Sequence, residues 1–293
     1  MRAIVVINPV AGGGKGLTMG AQVRNYFQGQ DHHITYIQGS SLTDSLNQID
    51  SACSNLDFEL LICVGGDGLI HDLLPKLLKY QLPLLVVPSG TGNDFARTLG
   101  LYGIKIKKLL EIPIHSKPVE IDVGSVSDGQ RSTPFVQILS TGFDSVVNER
   151  ANNMVVIKGK IKYVVAVLQK VWRFHSIEYR ITIDGVLHQQ RAMLVCVANG
   201  TSYGGGMMIA PHANNSDELL DIMIVDRVNP FRLLLVFPRV FLGTHVKHPS
   251  VQFFKGKNIS ISGDTVAFAD GERISPLPIS IQISKEKLLV YKA

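Results

Sequence analysis

Leu60-Leu61-Ile62-Cys63-Val64-Gly65-Gly66-Asp67-Gly68 decides the fold, because an apolar run stops abruptly in three glycines set around one carboxylate. The run has the length and composition of a strand. The turn that ends it lets backbone N–H groups approach an anion without interference from Cβ atoms, and a following helix adds its positive end. A tight strand-to-helix turn in any α/β domain uses glycines for packing alone, so the neighbouring loops decide between the two readings.

Two further loops have the same character. Ala3-Ile4-Val5-Val6-Ile7 breaks at Asn8-Pro9 and runs through Ala11-Gly12-Gly13-Gly14-Lys15-Gly16 into a helical stretch expected over Leu17–Gln28. That loop lacks the lysine-plus-hydroxyl ending of a Walker A sequence and the spacing of a dinucleotide fingerprint. Leu84-Leu85-Val86-Val87 leads into Pro88-Ser89-Gly90-Thr91-Gly92-Asn93-Asp94-Phe95-Ala96-Arg97, where small residues leave room for a ligand ahead of a short helix.

Around these loops the first 120 residues alternate strand and helix: Ile34–Ile37, Leu42–Ser54, Leu60–Val64, Leu69–Tyr80, Leu84–Val87 and Asn93–Leu99. Such alternation predicts a parallel sheet with helical crossovers. After Lys117 strand-like runs dominate: Val119–Val126, Phe135–Leu139, Ile177–Ile183, Arg191–Ala198, Leu219–Val225, Val251–Phe254, Asn258–Ser262, Val266–Ala269, Ile279–Ile283 and Leu288–Tyr291. Asp128-Gly129 and Asp184-Gly185 supply hairpin turns between them. Two helical segments interrupt, Ile161–Phe174 and Pro230–Phe241. The expectation is an α/β domain over residues 1–120, followed over residues 121–283 by a mostly antiparallel β-sandwich domain.

Composition narrows the functional classes. The 293 residues are 45% hydrophobic and 18% charged, with a net charge of +5, which describes a globular chain long enough for two domains. The longest apolar candidate for a membrane span, Phe231–Leu242, contains Arg232, Pro238 and Arg239 and is too short for the hydrocarbon core. Cys53, Cys63 and Cys196 lack metal-like spacing and read as buried thiols of a cytoplasmic protein. Lys105, Lys107 and Lys108, and then Lys158, Lys160, Lys162, Lys170 and Arg173, form two loosely basic stretches that read first as solvated helix faces. Aromatics are 7% of the chain and do not interleave with basic residues, so nucleic acid is not an expected partner.

Taken together, Asn8-Pro9 with its glycines, Gly65-Gly66-Asp67-Gly68 and the run Pro88–Arg97 resemble, in order and spacing, the three N-terminal motifs of the diacylglycerol kinase catalytic family. That family includes soluble bacterial lipid kinases and is related to the sphingosine and ceramide kinases and, distantly, to the NAD kinases. The likeness continues through Tyr203-Gly204-Gly205-Gly206-Met207, Pro211, Asp217, Asp221 and Asp270-Gly271-Glu272. It implies the two-domain lipid kinase fold, with the final strands, about residues 284–293, returning to the first domain.

The implied chemistry is transfer of the γ-phosphoryl group of ATP, with Mg²⁺, to a lipid hydroxyl. Such a transfer needs anionic oxygens held in place, hard ligands for the metal and a base at the acceptor. Asn8, Gly12, Gly13, Gly14, Lys15, Gly65, Gly66, Asp67, Gly68, Ser89, Gly90, Thr91, Gly92 and Asn93 are the expected nucleotide-binding residues. Asp67 is the expected first metal carboxylate, with Asp94 or Asp217 completing a water-mediated shell, and by resemblance Asp217 and Asp221 bind a second, structural Mg²⁺ or connect with Lys15. By resemblance also, Asp270 is the general base and Glu272 its partner, facing the phosphates from the second domain, so that closure accompanies turnover. On local chemistry alone Asp270-Gly271 reads first as a hairpin turn, and it is the resemblance that reverses this.

Several residues depart from the family pattern. Leu69 stands where threonine is usual, His71 and Asp72 where asparagine and glutamate are usual, and Glu218 where glycine is usual. These departures keep open a weakened nucleotide or lipid sensor, and an NAD kinase is the rival enzyme. The implied substrate is a membrane lipid, diacylglycerol or a relative, reached by peripheral contact in which Pro230–Lys247, through Phe231, Leu234, Leu235 and Phe241, lines an acyl groove or rests on the bilayer. Core packing accounts for the same four residues. Oligomeric state is not readable from the sequence, and a homodimer remains open.

Overall fold

The computed structural model describes residues 1–152, 160–172 and 174–293. The chain divides into two compact units, Met1–Ile121 with Glu286–Ala293, and Asp122–Lys285.

Unit 1 runs β1 (Arg2–Ile7), α1 (Ala11–Phe27), β2 (His33–Ile37), α2 (Leu42–Asn55), β3 (Leu60–Gly65), α3 (Asp67–Tyr80), β4 (Leu84–Pro88), α4 (Asp94–Thr98), α5 (Ile106–His115) and β5 (Val119–Ile121). Among the described residues its sheet has the order β2-β1-β3-β4-β17-β5, where β17 (Leu288–Val290) arrives after all of unit 2. Pairing is parallel from β2 to β17, and β5 closes the edge antiparallel. Ala3 to Ile7, Leu60 to Val64 and Leu84 to Val87 are all buried, as strands sandwiched between helical layers must be. Ser41 caps α2 by accepting the Asp44 N–H at 3.1 Å. Asp50 on α2 takes Lys76 and, at 2.7 Å, the Tyr80 hydroxyl from α3, which ties the two helices together. The bond from Lys76 is the main reason its carboxyl is lowered to about 2.

Unit 2 contains β6 (Gly124–Ser127), β7 (Ser132–Phe135), β8 (Ile138–Gly142), α6 (Phe143–Asn152), α7 (Lys160–Lys170), β9 (Ile177–Ile183) and β10 (Val186–Ala198). β11 (Leu220–Asp226), α8 (Pro230–Val240), a 3-10 turn (Thr244–Lys247), β12 (Val251–Gly256), β13 (Asn258–Ser262), β14 (Val266–Ala269), β15 (Glu272–Pro276) and β16 (Ile279–Ile283) follow. The antiparallel path among the described residues is β15-β14-β8-β10-β9-β13-β16-β6-β7, with β11 on β10 and β12 on β11. A sheet this long folds over on itself into a sandwich. Alternate residues of neighbouring strands, Tyr179, Ile181 and Ile183, Ile259 and Ile261, Ile279 and Ile281, fill its core with period two. On the other face Cys196, Ala198 and Met223 pack with Tyr203, Met207 and Ile209.

Three runs differ from the sequence expectation, each for a visible reason. Val119–Val126 is two strands in two units, because the Asp122 N–H leaves the ladder for the Asn215 carbonyl at 2.7 Å and its carboxylate accepts the Glu218 N–H at 2.7 Å. Phe135–Leu139 breaks at Val136-Gln137, whose N–H groups go to the Asp270 carboxylate. The first helix is assigned from Ala11, yet Gly12, Gly13 and Gly14 hold φ of 57°, 73° and 101°, so the expected turn is present inside it. α5, α6 and β15 are additional to the expected elements. Lys158 and Arg173 lie outside the described residues.

Candidate functional site

In open α/β sheets ligands bind beyond the carboxyl ends of the parallel strands. β1, β3 and β4 all end at the three glycine loops of unit 1. A Cβ on Gly12 would stand 2.2 Å from the Ser89 carbonyl oxygen, so the loop after β1 lies directly against the loop after β4. A Cβ on Gly90 would stand 2.5 Å from the Gly66 Cα, and one on Gly66 would stand 2.9 Å from the Gly90 Cα. Three turns far apart in sequence therefore meet at one place in unit 1.

Hydrogen bonds fix the meeting. Asp67 opens α3, and its Oδ2 and Oδ1 accept the N–H groups of Asp94 and Phe95 at 3.1 and 3.0 Å, pinning α4 to the β3 loop. Asn93, in the left-handed region with φ 55°, closes the third loop on itself: Oδ1 accepts the Gly90 N–H at 2.9 Å and Nδ2 donates to the Gly90 carbonyl at 2.8 Å. The N–H groups of Ser89 and Gly90 also donate to the Gly65 carbonyl at 2.9 and 3.2 Å. Gly90 thus spends its N–H inside the scaffold, where the sequence reading assigned it to a ligand. Asn8 likewise works locally, accepting the Val10 N–H at 3.2 Å.

Facing solvent are Gly13, Gly14, Lys15 and Thr91, while Gly12, Gly66, Gly68 and Gly92 are half-buried. Ser89 is 2% exposed, and its hydroxyl has no hydrogen-bond partner among the described residues. Leu69, in the usual place of a threonine, lies over Gly65, its Cδ2 falling 2.6 Å from where a Cβ there would be.

Unit 2 holds the second group of predicted residues. Asp270 and Gly271, with φ of 51° and 91°, form the two-residue turn between β14 and β15. Two left-handed residues in such a turn match the twist of the flanking strands. The Asp270 carboxylate meanwhile reaches the chain before β8: Oδ2 accepts the Val136 N–H at 2.9 Å, and Oδ1 accepts those of Gln137 and Ile138 at 2.9 and 3.2 Å. Glu272 is exposed at the start of β15. Tyr203-Gly204-Gly205-Gly206-Met207 is a closed loop, with φ of 64°, 86° and 102° at its glycines and paired bonds of 3.1 and 3.0 Å between Tyr203 and Met207.

The expected metal carboxylates divide between the units, Asp67 and Asp94 in unit 1, Asp217 and Asp221 in unit 2. Lys255 on β12 reaches Asp217 at 2.8 Å and Asp221, its register partner, at 3.5 Å. An ammonium group supplies the positive charge there, so Asp217 and Asp221 do not fit Mg²⁺ in this arrangement. Burial raises the Asp221 carboxyl above its ordinary range, with Lys255 pulling the other way. Among the described residues no three His, Cys, Asp or Glu side chains gather in a metal-binding cluster. Glu218, in the usual place of a glycine, holds a left-handed φ of 57°.

Sequence reading missed Asp144. It is 2% exposed in the first turn of α6 and accepts bonds from Ser140, Tyr203 and, at 2.8 Å, Asn148. Gly142-Phe143-Asp144 carries no spacing signal, and only the fold brings Tyr203 to it. Near α6, a depression of about 420 Å³ is lined by Val146, Phe174, Ile177, Val266 and Phe268, with Glu149, Lys170, His175 and Asp264 among its charged and polar residues.

A parallel α/β unit with glycine loops at its strand ends, joined to an antiparallel sandwich, is the architecture of the diacylglycerol and NAD kinases. Residues 2–126 match the diacylglycerol kinase catalytic domain, and residues 137–292 match the YegS C-terminal NAD kinase beta sandwich-like domain. A diacylglycerol kinase of Mycobacterium tuberculosis (strain ATCC 25618 / H37Rv) is 31% identical, over 99% of this chain and 95% of that protein. One from Bacillus subtilis (strain 168) is 26% identical, over 89% and 86%. The chain therefore belongs to the diacylglycerol kinase catalytic family, whose members named here are kinases. In fold, it is similar to a crystal structure of a putative diacylglycerol kinase from Bacillus anthracis str. Sterne, with TM-score 0.78, 24% identity and coverage of 100% of this chain and 97% of that one. An NAD kinase from Archaeoglobus fulgidus in complex with ATP has TM-score 0.56, 14% identity and coverage of 100% and 94%.

Proposed function

We propose that this protein transfers the γ-phosphoryl group of ATP to a hydroxyl of a membrane lipid, diacylglycerol or a close relative. The observation that most supports this reading is the meeting of the Gly12, Gly66 and Gly90 turns beyond β1, β3 and β4. In it, nucleotide phosphates lie over the solvent-facing side of those turns, Lys15 brings a point charge to them, and the Ser89 and Thr91 hydroxyls donate. Mg²⁺ bound to the triphosphate would neutralise charge developing on the transferred group, with Asp67 and Asp94 as the hard oxygen donors bordering the loops.

Asp270 takes the proton of the acceptor hydroxyl as the new O–P bond forms and the bond to the β,γ-bridging oxygen breaks, leaving ADP. Three N–H groups hold its carboxylate in place, and Glu272 stands two residues away. Labelled ATP incubated with a lipid panel, with and without Mg²⁺, tests the proposal. Labelled lipid that depends on Mg²⁺ is expected, whereas label on NAD, or nucleotide binding with no labelled lipid, overturns it. Asp270→Asn is expected to lower kcat by about 10²- to 10⁴-fold while ATP affinity stays near wild type. Wild-type turnover in that variant removes Asp270 from the role of base.

A further inference from the structure

We propose that α8, together with Leu168 and Trp172 beside it, is a docking surface for an anionic lipid bilayer. α8 is a well-formed helix: Pro230 occupies its first turn, and Asn229 accepts the Phe231 N–H at 2.9 Å. Yet none of its residues is buried. Its inner side, Leu233, Leu234 and Phe237, packs on Val147, Ala166, Val167 and Val171. The outer side is apolar too. Phe231 and Leu235, four residues apart on one face of α8, are 64% and 75% exposed, and Leu242 in the turn just after the helix is 75% exposed. Trp172 and Leu168 are 52% and 48% exposed, and the Trp172 ring meets the Phe231 ring edge-on at 4.9 Å, which joins the two segments into one patch.

Charge selects the occupant. From Arg227 to Gly263 the sequence has no Asp or Glu, while Arg227, Arg232, Arg239 and Lys247 fall within or beside α8. An exposed aliphatic and aromatic face on a segment that carries cations and no acid suits the boundary between anionic headgroups and acyl chains, where tryptophan, arginine and lysine are favoured. The surface gives the proposed lipid kinase its route to a bilayer-held acceptor and rests on that reading for its purpose, but its binding is measured without ATP.

Trp172 is the chain's one tryptophan, so the wild-type protein reports on its own docking. With vesicles of phosphatidylglycerol and phosphatidylcholine, the expected results are co-sedimentation and a blue shift of tryptophan emission, both weakened at high salt. Phe231→Asp with Leu235→Asp is expected to lower partitioning at least 10-fold. Arg232→Gln with Arg239→Gln is expected to reduce the preference over pure phosphatidylcholine vesicles at least 3-fold. The apolar double variant should keep its thermal midpoint and its rate on a short-chain acceptor dispersed as monomers, and lose rate only on vesicles. Absence of wild-type binding, unchanged binding in the apolar double variant, or equal loss of rate on monomers and vesicles overturns the proposal. Wild-type docking without any lipid phosphorylation would instead sustain the surface and refute the kinase reading.

Discussion

Asp67 and Asp270 look alike in sequence, each an aspartate beside glycine at a strand end, and the structure gives them related but unequal tasks. Asp67 spreads its two oxygens over two N–H groups of the α4 segment, joining two loops of a parallel sheet. Asp270 gathers three N–H groups at the break between β7 and β8, from inside a hairpin turn. A parallel sheet has its ligand loops side by side by topology, so one carboxylate only needs to lock them. An antiparallel sandwich has no such shared edge, and there a carboxylate gathers its backbone donors through a turn and a break in the neighbouring ladder.

The contrast can be broken by stability measurements. Asp270→Ala leaves three donors without their acceptor and is expected to cost about 3 kcal/mol in denaturant unfolding, followed by Asp67→Ala at about 2 kcal/mol with its two. The reverse order would mean that the parallel unit, not the sandwich, depends more on its acid. Glu218→Gly relieves a left-handed backbone in a non-glycine residue and should raise stability by about 1 kcal/mol. A null or negative result there would assign Glu218 a compensating role through its 3.6 Å pairing with Lys257.

The smallest effect concerns pH. Because Asp221 is held above its ordinary 3.8 in the folded state, the fold keeps a proton that the unfolded chain has lost. That contribution is full below the ordinary value and disappears as pH rises through the raised one. Asp221→Asn should flatten this slope in unfolding midpoints taken between pH 4 and 7, and a slope unchanged by the substitution would reject the assignment.

The strands with strong apolar character and clear turn flanks, Ile177–Ile183, Asn258–Ser262, Val266–Ala269 and Ile279–Ile283, were legible to the residue, and the three glycine loops announced their own convergence. Illegible features were those in which a side chain far away in sequence captures backbone N–H groups. The break at Val136-Gln137 depends on Asp270, and the break at Asp122 depends on Asn215 and Glu218. No local pattern encodes either. Likewise, nothing in the spacing of Asp217, Asp221 and Lys255 foretells that two predicted metal ligands share one lysine, since that pairing comes from the register of β11 against β12.

β17 gives the six-stranded sheet a late completion. Leu288–Val290 slots between β4 and β5 after more than 160 residues of intervening sandwich have been synthesised. During translation on the ribosome the first unit therefore waits with β4 and β5 unbridged, and this high sequence separation slows its closure. A nascent chain halted just before Glu286 should remain protease-sensitive in its amino-terminal half even when the sandwich has already formed.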